Sequence, residues 1–137
     1  MSAVGLDPDQ VLLEITTPSL TPANTLASVP TVLEARPTPT AAFCANDLLA
    51  LGLLQGLNRA GLTVPSDFSV VGYDDIYFAS ALARSLTSVR QPRHELDRVA
   101  ASLLVEECDD PEAHEHQLVM YAPELIVRET TGPVPTS

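Results

Sequence analysis

A chain of 137 residues with 45% hydrophobic content suffices for one packed domain or a piece of a larger one. Its formal charge of −11 repels phosphate backbones, so these residues by themselves are not expected to bind nucleic acid. With no Trp, 4% aromatics, no run near the roughly 20 apolar residues of a membrane span and no secretory pattern in MSAVGLDPDQ, a soluble cytoplasmic protein with a Leu, Val and Ala core is expected.

In chain order, QVLLEI (residues 10–15) reads as a short strand. Residues 16–40 are rich in Pro, Thr and Ser. Thr21 is placed to cap a helix with Pro22 at its first position, and Pro30 is expected to kink or end it. Pro37, Thr38 and Pro39 form a stiff connector. TAAFCA reads as a short buried strand. NDLLALGLLQGLNRA reads as a helix closed by Gly61, with Ala50, Leu53, Leu54, Leu57 and Ala60 on one face. After the turn GLTVPSD, the apolar run FSVVGY suits a strand in a parallel sheet covered on both faces. DDIYFASALA reads as a short helix and LTSVRQP as another extended segment. HELDRVAASLLVEEC is an amphipathic helix with Leu96, Val99, Ala100, Leu103 and Leu104 on one stripe. CDDPEAHEHQ is a polar loop, LVMYAPELIVRET closes the chain in strands, and TGPVPTS is a frayed tail, with residues 133–137 expected to be disordered. Strands alternating with helices predict an α/β fold, a three-layer α/β/α arrangement around a parallel sheet.

Two polar pairs carry the functional signal. Asn46 follows one strand and begins a helix, and Asp74 follows the next strand and is placed to begin another. Both positions fall at the carboxyl ends of strands, where open α/β sheets place ligands. An amide and a carboxylate there suit hydrogen bonding to the hydroxyls of a sugar-like ligand. Asn and Asp are also preferred helix caps, so both roles stand open for Asn46 and Asp74, and capping is favoured for Asp47 and Asp75. No Ser or His completes a nucleophile constellation, which argues against an enzyme.

Other candidates are weaker. Cys44 reads as a buried thiol and Cys108 as a surface thiol, neither with a metal-ligand spacing. His114 and His116, interleaved with Glu112 and Glu115, fit a solvated acidic loop better than a metal site. Arg90 and Arg93 flank Gln91 and suit either ion pairs or plain surface. The glycines of GLLQG lie within a helix and form no phosphate loop. No cofactor is implied.

The run TAAFCANDLLALGLLQGLNRAGLTVPSDFSVVGYDDIYFA, followed by LTSVRQP and APELIVRET, resembles the effector-binding core of the LacI/GalR family of bacterial transcriptional regulators, a fold shared with periplasmic sugar-binding proteins. The match runs from about Thr40 to Thr131, and AVGLDPDQVLLEI fits the segment that precedes this core. The resemblance implies that Asn46 contacts the effector, that Asp74 bonds its hydroxyls, and that Gln91 reaches the ligand from the crossover between lobes. Tyr73 either lines the pocket or packs in the core, and Arg128 is structural. Residues 1–132 would then be the C-terminal portion of an effector-binding domain, mainly one lobe, with residues 92–112 belonging to the other lobe.

The family's helix-turn-helix headpiece, hinge helix and most of its N-terminal lobe have no counterpart in these residues, so DNA would be met only through a headpiece outside them. The implied partners are a small sugar-like effector and a second copy in a homodimer. The alternative is a sugar-binding protein of a transport system.

Overall fold

The computed structural model of the chain describes residue 7 and residues 11–109 and 116–135. Thr21, extended at φ −114°, leads into α1, Pro22–Glu34, where Pro22 lacks only an N–H that a first turn leaves unpaired anyway. The expectation that Pro30 breaks this helix is not met, for α1 runs through it to Glu34. Losing one internal bond costs about 3 kcal/mol. Val29 and Val32 are buried on the same helix at about 1.5–3 kcal/mol each, enough to hold it together.

β1 (Ala41–Phe43) leads to α2 (Asp47–Arg59). Asn46 caps α2 by accepting the Leu49 N–H at 2.9 Å. At the other end Gly61, at φ 80°, donates to Asn58 O while Leu62 donates to Leu57 O, both at 3.0 Å. That is the paired closure expected of a glycine just past a helix. The glycines of GLLQG have a packing role. A Cβ at Gly56 would strike Val29 and one at Gly52 the Pro22 carbonyl, so their absence lets α1 lie close on α2.

β2 (Ser69–Tyr73) runs parallel to β1, with Ala42 opposite Val70, and β3 (Thr87–Arg90) runs parallel to β2, with Gly72 opposite Ser88. β4 (Glu124–Ile126) pairs antiparallel with β3. The sheet is therefore mixed, in the order β1-β2-β3-β4, and only three residues of LVMYAPELIVRET join it. A 3-10 turn at Tyr77–Ser80 follows β2, and α3 (Arg93–Asp109) follows β3.

One sheet face is closed and the other is not. Val70 and Gly72 are buried, and Val70 joins Leu49, Ala50, Leu53 and Leu57 of α2 and Val29 and Val32 of α1 in one core. On the opposite face Phe43 stays 64% exposed, with Leu125 exposed and Val71, Tyr73 and Val89 half-buried. The expectations of a buried first strand and of a second strand covered on both faces are corrected accordingly: alternate residues point to opposite faces, and α1 and α2 pack on one. The strand expected at residues 10–15 is also absent from the described part. Val11 is helical and residues 12–15 join no ladder. α3 buries no residue. In the expected tail, Gly132 N–H donates to Ser69 Oγ at 3.2 Å, so the chain is held that far.

Candidate functional site

β1, β2 and β3 run in one direction, so the residues just after them gather at one end of the sheet. Asn46 lies three positions past β1, Asp74 one past β2 and Gln91 one past β3. Asp74 and Gln91 meet directly: Gln91 Nε2 donates to Asp74 Oδ1 at 2.9 Å. Asn46 takes the capping role, with its Oδ1 occupied by Leu49 N–H. Tyr73 is half-buried, and its ring meets Phe43 edge-on at 6.3 Å and 78°, a favourable geometry for aromatic pairs.

Asp74 does not cap a helix. The 3-10 turn begins after Ile76, and Asp74 and Asp75 take φ of 99° and 49°. That left-handed region is sparsely used by residues other than Gly, with Asp and Asn enriched there. Two surroundings fix it. Asp74 N–H donates to Val89 O at 2.9 Å, and Asp75 N–H donates to Ser88 Oγ at 3.1 Å. The Asp75 carboxylate is bracketed by Arg90 Nη2 on Oδ2 and Arg128 Nη1 on Oδ1, each at 2.7 Å. Burial alone would raise this carboxyl, but the hydrogen bonds and charges of Arg128 and Arg90 outweigh it and hold it below the usual carboxylate range.

Beneath this loop lies Asp47, fully buried. Its Oδ1 accepts from Ser88 Oγ at 2.6 Å and its Oδ2 from Ile76 N–H at 2.8 Å. Burial pushes its carboxyl above the usual range, and the charges of Asp74 and Asp75 add to that, while the bonds from Ser88 and Ile76 pull the other way. The site leaves no room above Gly72, where a Cβ would collide with Asp47 Oδ1. Burial, and then the charge of Asp47, lift the Cys44 thiol to about 12, so it stays protonated as an inert core group.

Asp47, Ser88 and the Asp75–Arg128 pair are what sequence reading did not assign. Capping is the role the sequence favours for Asp47, but its carboxylate meets Ser88 and Ile76 instead, and Ser88 carried no signal beyond lying in LTSVRQP. Arg90 pairs with Asp75 and approaches Glu124 at 3.9 Å, so one of its two open roles is filled within the sheet. Arg128, for which the resemblance implies a structural role, donates Nη1 to Leu86 O at 2.6 Å as well as to Asp75. Glu112, His114 and Glu115 lie outside the described residues, and among the described residues no cluster has three metal-ligating side chains. Nor is any helix among them long and apolar enough to cross a membrane.

A family described as periplasmic binding protein-like domain matches residues 1–131. The HTH-type transcriptional repressor PurR of Vibrio campbellii is 43% identical over 100 residues, which are 73% of this chain and 29% of that protein. A LacI family transcriptional regulator of Enterococcus faecium, solved with bound ribose, superposes on 96% of this chain with a TM-score of 0.85 at 30% identity, and 47% of that chain is covered. The complex of the transcriptional regulator CelR with cellobiose superposes on 94% of this chain and 38% of its own, with a TM-score of 0.82 at 33% identity. The chain thus spans under a third of the curated relative and under half of these solved structures.

Proposed function

The chain belongs to the periplasmic-binding-protein-like effector domains of LacI-type transcriptional regulators, and from that premise we propose that it forms one side of a cleft binding a small polyhydroxylated effector of the sugar class. The observation that carries this reading is the Asp74–Gln91 contact. A carboxylate and an amide, held together at the carboxyl ends of adjacent parallel strands, offer an acceptor and a donor to vicinal hydroxyls. Asn46 adds a second amide nearby, whose Nδ2 bonds to no described residue. Tyr73 and Phe43 supply an apolar edge.

Residues 1–132 act as one unit in this reading. The absence of buried residues on α3 fits its assignment, within residues 92–112, to the second lobe. Closure of two lobes on the effector would alter operator affinity through a helix-turn-helix outside these residues, by the difference in effector affinity between two lobe arrangements. The unit works as a homodimer in the cytoplasm, without catalysis or a cofactor. Its named relatives are a transcriptional repressor and transcriptional regulators, which supports regulation over a transport system's sugar-binding protein.

The test is calorimetry on a longer version carrying both lobes, titrated with ribose, cellobiose and a panel of other pentoses and hexoses. Saturable heat from one class is the expected result. A folded two-lobe protein that gives none with any sugar overturns the reading.

A further inference from the structure

Asp47 sits fully buried in the first turn of α2, and both of its oxygens are met by hydrogen. Ile76 N–H donates to Oδ2 at 2.8 Å. Ser88 Oγ accepts the Asp75 N–H at 3.1 Å and passes its own hydrogen to Oδ1 at 2.6 Å. Asp75, Ser88 and Asp47 thus form a run of donors in one direction, ending on a group that only accepts. A protonated Asp47, or an asparagine in its place, would turn a hydrogen on one of these donors.

The two amides held in this way belong to the two residues that follow Asp74. Asp74 and Asp75 take φ of 99° and 49°, a region that residues other than Gly keep only when their surroundings fix it. Among the described residues, no other group accepts the Asp75 and Ile76 N–H. Helix capping does not account for Asp47, since Asn46 already caps α2. A favourable place near the helix dipole does not need burial either. Burial disfavours the ionised carboxyl, so by packing alone a neutral side chain would serve as well or better.

We propose that Asp47 is a positioning residue for effector binding, its carboxylate holding the backbone after Asp74 so that the Asp74 side chain meets Gln91 and the effector hydroxyls. The inference rests on the effector reading of Asp74 given above. It makes affinity depend on pH. Asp74 and Asp75 face Asp47 from the loop and Cys44 from the end of β1, with Arg90 and Arg128 beyond Asp75. Cys44 keeps its proton to about 12, Asp75 is held low, and both arginines stay charged. The ionised form of Asp47 is the competent one, so its share of the affinity is lost as pH falls through its folded value, which lies above about 4.

Amide exchange on the 137-residue chain reads the positioning directly. Asp47→Asn should speed exchange at Ile76 and Ser88→Ala at Asp75, each by about tenfold or more, while Leu49 stays protected by its cap. Calorimetry on the two-lobe version, with the sugar that saturates the wild type, reads the effect on function. D47N should bind about tenfold more weakly, with melts showing it folded at the titration temperature. Wild-type affinity should drop as pH is lowered from 8 to 4, and that of D47N should drop less, since Asp74 and Asp75 titrate in both. In an Asp74→Asn background D47N should change affinity by less than about threefold, because it acts through Asp74. S88A breaks the same run of donors from β3 and carries the affinity and D74N arms if D47N melts too low. Unchanged exchange at both Asp75 and Ile76 overturns the proposal, as do wild-type affinity in the variant, parallel pH profiles or additive losses with D74N. A two-lobe wild type that binds no sugar overturns the effector reading and this proposal with it, whereas the other failures overturn this proposal alone.

Discussion

Ser88 Oγ donates to Asp47 Oδ1 at 2.6 Å across 41 positions of chain, tying the first turn of α2 to β3. Both side chains are fully buried, and the same Ser88 oxygen accepts the Asp75 N–H. The bond thus supports the loop carrying Asp74 from below.

Removing it with Ser88→Ala strands a buried carboxylate oxygen and should cost about 1.5–3 kcal/mol. The pH dependence gives a second signature. Asp47 has a folded-state value raised above its unfolded one, which is about 3.9. The folded state therefore binds the proton more readily, and stability falls as pH rises from about 4 through the folded value. Without the Ser88 bond the folded value rises further, so in S88A the fall extends to higher pH. Urea melts from pH 3.5 to 8 check this; parallel curves for S88A and wild type would refute it.

Asp75 predicts the opposite slope. Its folded value is lowered, so its contribution is present above about pH 4, its unfolded value, and is lost as pH falls through the lower folded value. Asp75→Asn should flatten the acid limb of stability below pH 4. Arg128→Met leaves Asp75 with Arg90 and should cost about 1.5–3 kcal/mol at neutral pH, about 4 °C of melting temperature per kcal/mol. Thermal scans of both variants between pH 2 and 7 decide the point. An unchanged acid limb in D75N removes the ion-pair account.

Asp74→Asn should leave the fold in place. Asn tolerates positive φ, and its Oδ1 can still accept from Gln91, so the melt should move by no more than about 2 °C. Effector affinity, measured on a two-lobe version, should fall by about 1.5–3 kcal/mol, one to two decades, with the charge-assisted bond gone. An unchanged affinity for the cognate sugar would make Asp74 structural.

On α3, Leu104 and Val105 are exposed, and Leu96, Val99 and Leu103 are only half-buried. Burying such side chains is worth roughly 1.5–3 kcal/mol each. The chain should therefore self-associate at micromolar concentration, and Leu104→Glu should weaken that association. Sedimentation equilibrium that returns a clean monomer for wild type ends this prediction.

Local signals were readable because they are satisfied locally. Asn46 bonds three residues ahead, Gly61 supplies the positive φ that closes α2, and the apolar spacing of α2 marks its buried face. The positions of Asn46 and Asp74 after successive strands followed from the same alternation, while Gln91 came from the family resemblance. Tertiary structure alone decided who partners whom. Asp75 is held by Arg128, 53 positions away by subtraction of their numbers, only because β4 lies antiparallel beside β3. Asp47 became the buried base of the site because Ser88 arrived beside it. Pro30 stayed helical because α1 found α2 to pack against. QVLLEI has strand composition, yet residues 12–15 stay outside the sheet, since a strand exists only where a neighbouring edge lies within hydrogen-bonding distance.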